Sequence, residues 1–286
     1  MRLPALADWT TTAHGLHRAV QILAGVQMLL YAHDPHYGEV ALKPVPEGIA
    51  TGRLPDGGRI TLDMRRAALI YCQADDTETQ VPLAGASQAY SNRALLQALR
   101  ETILAGTLSD AETSALVEKF TSAVRAKYPE LPLHHTEYSN AEPLAIDPAV
   151  AREYAFALDT FFTGIARFRA RVQGHWSRLV VFPEHFDMAT IWYANPDYDE
   201  NKPHIAVGFA PFSPGFERPY WYATMYPYPK DATFPVLPKP ARWTHETWHG
   251  VVIDYDALTG EDDPVLAIEQ VTGEVFDILR NFLENS

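Results

Sequence analysis

The chain is poor in cysteine and in positive charge. Cys72 is the single cysteine among 286 residues, so no internal disulfide can form and a reducing compartment fits. Lys and Arg number 23 against 36 Asp and Glu, which leaves a formal net charge of -13. Nucleic acid and anionic membranes are bound by basic faces, so this deficit argues against both as partners.

Long apolar runs are also missing. The most apolar helical segment, residues 19–32, is interrupted by Gln21 and Gln27. It is shorter than the roughly 20 apolar residues of a membrane-spanning helix. The first residues contain no apolar stretch of the kind found in signal peptides. With 47% hydrophobic and 21% charged residues, the composition predicts an acidic globular protein of the cytoplasm.

Two common catalytic signatures are absent. The sequence contains neither a glycine-rich phosphate loop nor the Gly-x-Ser-x-Gly motif of many hydrolases. Cys72 lies in a predicted strand among apolar residues, and we interpret it as a packing residue. The sequence therefore identifies no cofactor and leaves open whether the protein is an enzyme.

The spacing of apolar residues predicts helices around antiparallel strands in both halves of the chain. The first half reads as a helix over residues 14–31, five short strands between residues 38 and 83, and helices over 91–105 and 109–128. The second half starts a helix at Asp147-Pro148 and ends with one that starts at Asp263-Pro264. Between them we predict strands over residues 178–182, 185–193, 204–212, 220–228 and 244–255.

This pattern predicts an α+β fold, with antiparallel sheets in two similar halves that are each flanked by helices. The predicted domains are residues 1–129 and 144–286. Residues 130–143, which include Pro132 and Pro143, are the predicted connector. We expect the two halves to pack as one unit.

The order of several short segments resembles a bacterial protein family that is catalogued only as a domain of unknown function. The segments are Leu16-His17 with Gln21, Gly48, Pro55-Asp56-Gly57, Val81-Pro82-Leu83, Asp147-Pro148, Phe168-Arg169-Ala170-Arg171, Phe186-Asp187-Met188-Ala189, Gly208-Phe209-Ala210-Pro211 and Tyr226-Pro227. The resemblance covers most of the chain. The chain differs from the family in two places. It has fewer tryptophans before the first strand, and it has an additional predicted helix near residues 107–128. It implies the fold outline and a shared site, and it implies no activity.

The segment His245-Glu246-Thr247-Trp248-His249 matches the His-Glu-x-x-His motif of zinc peptidases. That chemistry requires a helix, which turns both histidines toward one ion. Here the prolines upstream and the run Val251-Val252-Ile253 downstream favour a strand. Residues four apart on a strand lie roughly 13 Å from each other, too far to share one ion. We therefore predict no metal site, and retain His245, Glu246 and His249 only as weak metal candidates.

A second group of polar residues lies on predicted neighbouring strands. Alternation places His185 and Asp187 on one face of their strand, and His204 on a face of the next strand that is otherwise made of Ala206, Gly208 and Ala210. Small side chains leave room above a sheet, which either a helix or a ligand fills. An aspartate beside a histidine suits general-base chemistry. The alternative is a buried aspartate tied to the backbone or to an arginine such as Arg169.

Two further features complete the predicted ligand site. His17 and Gln21 share one stripe of the first helix and either line a pocket or face water. Trp221 belongs to an aromatic and proline-rich run over residues 209–228, which suits a pocket, an interface or the core of the sheet. The predicted ligand-binding residues are His17, Gln21, His185, Asp187, His204 and Trp221.

We expect a small-molecule-binding protein with its pocket over the second-half sheet. One alternative is a hydrolase that uses a His/Asp pair or a metal. Another is an interaction module that presents the aromatic run, in a homo-oligomer.

Overall fold

The chain forms two compact units in a computed structural model that describes residues 1–32, 34, 38–100, 140–229, 233–245 and 248–284. The meander unit comprises Leu6–Phe156 and Val181–Phe186. The seven-strand unit comprises Met1–Ala5, Ala157–Val180 and Asp187–Ser286. Each unit thus draws on separate segments of the chain. The domain boundaries predicted at residues 129 and 144 stay predictions, since residues 130–139 of the predicted connector and the predicted helix over 109–128 lie outside the described residues.

The meander unit contains a five-stranded antiparallel sheet in chain order. Its strands are β1 (Lys43–Val45), β2 (Gly48–Ala50), β3 (Arg59–Asp63), β4 (Ala68–Cys72) and β5 (Glu78–Pro82). Helix α1 (Trp9–Leu30) packs against β3, and helix α2 (Gln88–Arg100) packs against β4 and β5. The short connections between successive strands explain the antiparallel pairing.

Helix α1 is buried on more than the one stripe that its apolar spacing predicts, because its polar residues are enclosed as well. Gln27 shows how such a residue is accommodated. Its amide nitrogen donates to the carbonyl oxygens of Glu39 and Ala41, both at 2.8 Å, and its amide oxygen accepts from the backbone of Gly52 at 2.7 Å. This side chain therefore fastens the start of the meander to the helix.

A second antiparallel sheet has seven strands. Its strands are β6 (His175–Trp176), β7 (Val180–Phe182), β8 (Asp187–Tyr193), β9 (His204–Ala210), β10 (Tyr220–Tyr226), β11 (Arg242–Thr244) and β12 (Gly250–Asp254). The order across the sheet is β11-β12-β10-β9-β8-β6, and β7 pairs with β8 beside that path. The predicted α+β fold with two antiparallel sheets is confirmed.

One face of the seven-stranded sheet packs against helices. Helix α3 (Pro148–Arg171) stacks the ring of Phe161 on Phe209 of β9, with centroids 3.9 Å apart. Helix α4 (Pro264–Glu284) packs on β9 and β10. The predicted helix starts are confirmed, because Asp147 accepts from the backbone of Ala149 at 2.7 Å and Asp263 from that of Leu266 at 3.1 Å.

Several predicted strands differ from the structure at their ends. The strands predicted over 178–182, 204–212 and 220–228 are shorter, as β7, β9 and β10. The strand predicted over 185–193 begins at Asp187, because residues 183–186 form a turn. The strand predicted over 244–255 is two strands, β11 and β12, which pair as Thr244 with Gly250. Alternation of residue types does not reveal a hairpin when both of its strands have strand-favouring residues. The pattern therefore predicted one continuous strand where the structure has two. No described helix is long and apolar enough to cross a membrane.

The contact between α3 and α4 depends on Gly164. A Cβ atom added there would meet the side chain of Ile268 at 2.7 Å and the carbonyl oxygen of Val265 at 3.1 Å. We expect Gly164→Ala to lower the free energy of unfolding by about 1–3 kcal/mol, because overpacking outweighs the better helix propensity of alanine. Urea denaturation measures this loss.

Gly273 of α4 is the matched control. A Cβ atom added there would meet nothing closer than Phe168 at 3.7 Å, so Gly273→Ala is expected to be neutral or stabilising. Equal effects of the two substitutions would show that close helix approach does not determine the role of Gly164.

Candidate functional site

Asp187 begins strand β8 immediately after a strained turn. Phe186, the last residue of that turn, has a φ of 58°, a left-handed conformation that costs a bulky residue roughly 1–2 kcal/mol. Its ring is 1% exposed and contacts two rings of the meander unit, those of His17 at 5.6 Å and Tyr154 at 5.8 Å. Such strain persists where packing holds it and is frequent at functional sites.

His17 and Gln21 hold the start of this turn. His17 and Gln21 both belong to α1, and their side chains are buried. Nε2 of His17 lies 2.9 Å from the carbonyl oxygen of Pro183, and Nε2 of Gln21 donates to the same oxygen. A carbonyl oxygen only accepts, so Nε2 of His17 carries the proton. The two residues predicted to line a pocket or face water therefore meet on one backbone atom in the meander unit.

His185 lies in the same turn and is exposed. The alternation that placed it on one face with Asp187 does not apply, because the strand starts two residues later. Among the described residues it forms no hydrogen bond or ion pair. The arginine considered as a partner for Asp187 is used elsewhere: Arg169 donates to the carbonyl oxygen of Ser177 at 2.7 Å and lies 5.5 Å from the ring of Trp176.

The face of the seven-stranded sheet opposite the helices carries Asp187, and we call it the Asp187 face. Directly paired residues share a face, so the register across β8, β9, β10 and β12 defines its members. They include Asp187, Ala189, Ile191, Tyr193, His204, Ala206, Gly208, Ala210, Tyr220, Tyr222, Thr224, Tyr226, Gly250 and Val252. Trp221 lies on the helix-packed face and is fully buried, so it is separated from Asp187 by the sheet.

Tyr222 crosses β9 to reach Asp187. Its hydroxyl donates a hydrogen bond to the Asp187 carboxylate. A Cβ atom at Gly208 would meet the Tyr222 ring at 2.5 Å, so the ring passes directly over the glycine. The room predicted above these small residues is thus filled at Gly208 by a side chain of the sheet itself.

Other aromatic rings surround Tyr222. Trp248 lies over Gly250, where a Cβ atom would meet its ring at 2.5 Å. Its centroid is 6.1 Å from that of Tyr222 and 6.2 Å from that of Tyr220. Phe216 packs on Tyr220 at 4.6 Å. We call Phe216, Tyr220, Tyr222 and Trp248 the aromatic cluster.

The carboxylate acts electrostatically on this cluster. Burial raises the pKa of Tyr220 to about 12, and the negative charge of Asp187 adds to the rise, while the hydrogen bond to Ser213 opposes it. That bond runs from the Tyr220 hydroxyl to the Ser213 hydroxyl at 2.8 Å. Tyr220 is therefore neutral near pH 7, and its ring faces a region of negative potential.

A patch of the Asp187 face, which we call the floor, lies next to the aromatic cluster. Ile191, Ala206 and Thr224 form it on three adjacent strands, and all three are half-buried. His204 and Tyr226 stack at its far end, with centroids 5.4 Å apart. Nδ1 of His204 donates to the carbonyl oxygen of Lys202 at 2.9 Å, which leaves Nε2 of the neutral ring as an acceptor.

The two histidines of the His-Glu-x-x-His segment lie between the paired strands β11 and β12. His245 directly follows β11, and His249 directly precedes β12. Their ring centroids are 5.9 Å apart, so the expectation of roughly 13 Å is wrong. The reason is the hairpin, which brings residues on either side of its loop opposite each other. Glu246 lies outside the described residues. Within the described chain, no three or more His, Cys, Asp and Glu side chains group to hold a metal ion.

The sequence analysis did not predict that Tyr222 contacts Asp187 over Gly208. The sequence shows Gly208 as a small residue and Tyr222 as a member of the aromatic run. Their relation depends on the register of β9 and β10, which pairs the two residues directly. No single-strand pattern contains that register, so Tyr222 could not be assigned to Asp187.

Fold and site together define an α+β protein with two antiparallel sheets, one of which carries an acidic and aromatic face. Residues 2–279 match a family of unknown function, DUF5996, and the chain belongs to this family. The predicted resemblance to a family without assigned function is thereby confirmed. No curated protein and no solved structure matches the chain.

The raised pKa of Tyr220 can be tested by titration. Since its folded pKa exceeds the ordinary value of 10.0, its contribution to stability is full below that pH and is lost as the pH rises toward about 12. In Asp187→Asn the negative charge is gone, so we expect Tyr220 to titrate at lower pH. NMR of tyrosine labelled at the ring carbon that bears the hydroxyl measures this, and Tyr220→Phe assigns the signal.

Asp277→Asn, an exposed carboxylate on α4 of the same unit, is the control and should leave the Tyr220 titration unchanged. Identical titration of Tyr220 in the wild type and in Asp187→Asn would contradict the assigned electrostatic effect.

Proposed function

We propose that the protein binds a small molecule bearing a positively charged nitrogen on the Asp187 face. The single observation that carries this proposal is the Asp187–Tyr222 pair, in which a buried aspartate, 9% exposed as a whole residue, is bounded by the aromatic cluster. A carboxylate beside aromatic faces stabilises a cation through both charge and the ring quadrupole. The ligand class follows from this combination.

The aromatic cluster already holds one cation at its edge. The guanidinium of Arg242 lies 5.7 Å from the ring centroid of Phe216, and it also pairs with Asp254 at 2.9 Å. This contact supports the ability of these rings to stabilise a positive charge. The formal net charge of -13 also favours the approach of cations from solution.

The floor next to the cluster suits a ligand of limited size. His204 and Gly208 are four residues apart on β9, which corresponds to roughly 13 Å along the strand. Small or short side chains form the floor between them, and His204 offers an acceptor nitrogen at the far end. A compact amine or diamine fits within this length, with a positively charged nitrogen at the carboxylate end. A cytoplasmic location, which the half-buried free thiol of Cys72 fits, belongs to the same proposal.

A thermal-shift comparison of three four-carbon compounds tests the proposal. The probes are 1,4-diaminobutane, neutral 1,4-butanediol and anionic succinate, each in saturating excess. Binding to the native state raises the melting temperature, and we expect a rise of roughly 2 °C or more with the diamine alone. Asp187→Asn should abolish the rise, because it retains the shape of the side chain and removes the charge.

Asp277→Asn again serves as the matched control and should respond to the diamine as the wild type does. A diamine response that persists in Asp187→Asn, or an equal response to the diol, would exclude the Asp187 face as a cation site. A diamine-independent change of oligomeric state on dilution would instead favour the interaction module.

A further inference from the structure

The hairpin loop between β11 and β12 brings two imidazoles together at an exposed position. Thr244 pairs with Gly250, so His245 and His249 are the residues that leave the two strands. Both side chains are exposed, and their ring centroids are 5.9 Å apart with an interplanar angle of 49°. The arrangement depends on the hairpin and is unrelated to the helical geometry of zinc peptidases.

Tyr228 contacts both imidazoles. Its hydroxyl lies 2.9 Å from Nδ1 of His245, within hydrogen-bond distance. Its ring stacks on His249 with centroids 4.6 Å apart and an interplanar angle of 16°. When the hydroxyl accepts a hydrogen bond from Nδ1–H of His245, the lone pair of Nε2 is available for a ligand. Tyrosine thereby orients one ring by a hydrogen bond and the other by stacking.

The environment behind the pair is aromatic. Phe234 lies 5.3 Å from His245, and Trp243 stacks on His245 at 6.4 Å. Phe234 in turn packs on Trp243 at 4.7 Å. These contacts restrict the rotamers of His245, so less side-chain entropy is lost when a ligand binds.

The separation of the rings fits a shared metal ion closely. With metal–nitrogen distances of about 2.0–2.1 Å and a tetrahedral angle, two imidazole centroids lie roughly 5 Å apart. The observed 5.9 Å exceeds this by less than about 1 Å, which small side-chain rotations can provide at an exposed hairpin end.

We infer that His245 and His249, oriented by Tyr228, bind a divalent first-row transition-metal ion. Neutral imidazole is a ligand for zinc, nickel and copper, whereas calcium and magnesium require oxygen ligands. A ligating histidine usually donates its other ring N–H to an oxygen acceptor, and the Tyr228 hydroxyl is in position to accept that bond from His245. Two protein ligands leave the remaining coordination positions to water or to a further ligand. This site is separate from the cation site on the Asp187 face and does not depend on it.

Calorimetric titration of the full chain with nickel chloride, in a buffer that does not chelate metal, tests the inference. We expect His245→Ala and His249→Ala each to weaken nickel binding by more than about 10-fold, because loss of a direct ligand should exceed loss of a residue that only orients a ligand. Tyr228→Phe, which retains the stacked ring and removes the hydroxyl, should weaken binding by roughly 10-fold.

His185→Ala is the control, because His185 is exposed in a turn of the other unit, and it should bind nickel as the wild type does. Circular dichroism establishes that each variant is folded. Nickel binding that is unchanged in the double variant His245→Ala/His249→Ala would overturn the inference and assign the ion to other histidines. Absence of binding to the folded wild type would also overturn it.

Metal binding by His245 and His249 can be tested independently of amine binding on the Asp187 face. Imidazole resonances of His245 and His249 should shift on addition of zinc chloride to the wild type and to Asp187→Asn alike. A shift of other histidine resonances in place of these two contradicts the inference, whatever the outcome with 1,4-diaminobutane.

Discussion

The Asp187 face depends on the absence of a side chain at Gly208. Because the Tyr222 ring passes over that residue, its hydroxyl reaches across β9 to the carboxylate on β8. Any larger residue would displace the ring, since the nearest ring atom is 2.5 Å from the position of a Cβ atom. Tyr220 and Trp248 then pack around Tyr222, so the aromatic cluster is arranged around a single strand crossing.

A second constraint lies in the turn before β8. Phe186 keeps a left-handed backbone conformation while its ring is stacked on His17, and Pro183 is fixed by His17 and Gln21. The free-energy cost of that conformation, roughly 1–2 kcal/mol, is offset by burial of a phenylalanine ring, which contributes about 1.5–3 kcal/mol. The turn is therefore determined by packing within the meander unit, and it sets the residue at which β8 starts.

The His-Glu-x-x-His segment shows how a motif changes meaning with backbone conformation. On a helix the two histidines would share a face, and on a continuous strand they would lie far apart. The hairpin between β11 and β12 is a third arrangement, which brings the rings to 5.9 Å. The prolines and the β-branched run indicated strand correctly, but the sequence between the paired residues Thr244 and Gly250 contains none of the glycine or asparagine pairs that mark short hairpins.

Apolar spacing determined the α+β class, the antiparallel meander, and the shared face of His204, Ala206 and Gly208, and the Asp-Pro pairs determined the capped starts of α3 and α4. These features are local, because each depends on residues within one helix or strand and on the turn residues beside it. The tertiary structure alone decided that Trp221 faces the helices, that His185 precedes the strand, and that Tyr222 is the partner of Asp187. Those relations depend on strand register and on where each strand begins. Both are set by packing between segments distant in sequence, which no local pattern records.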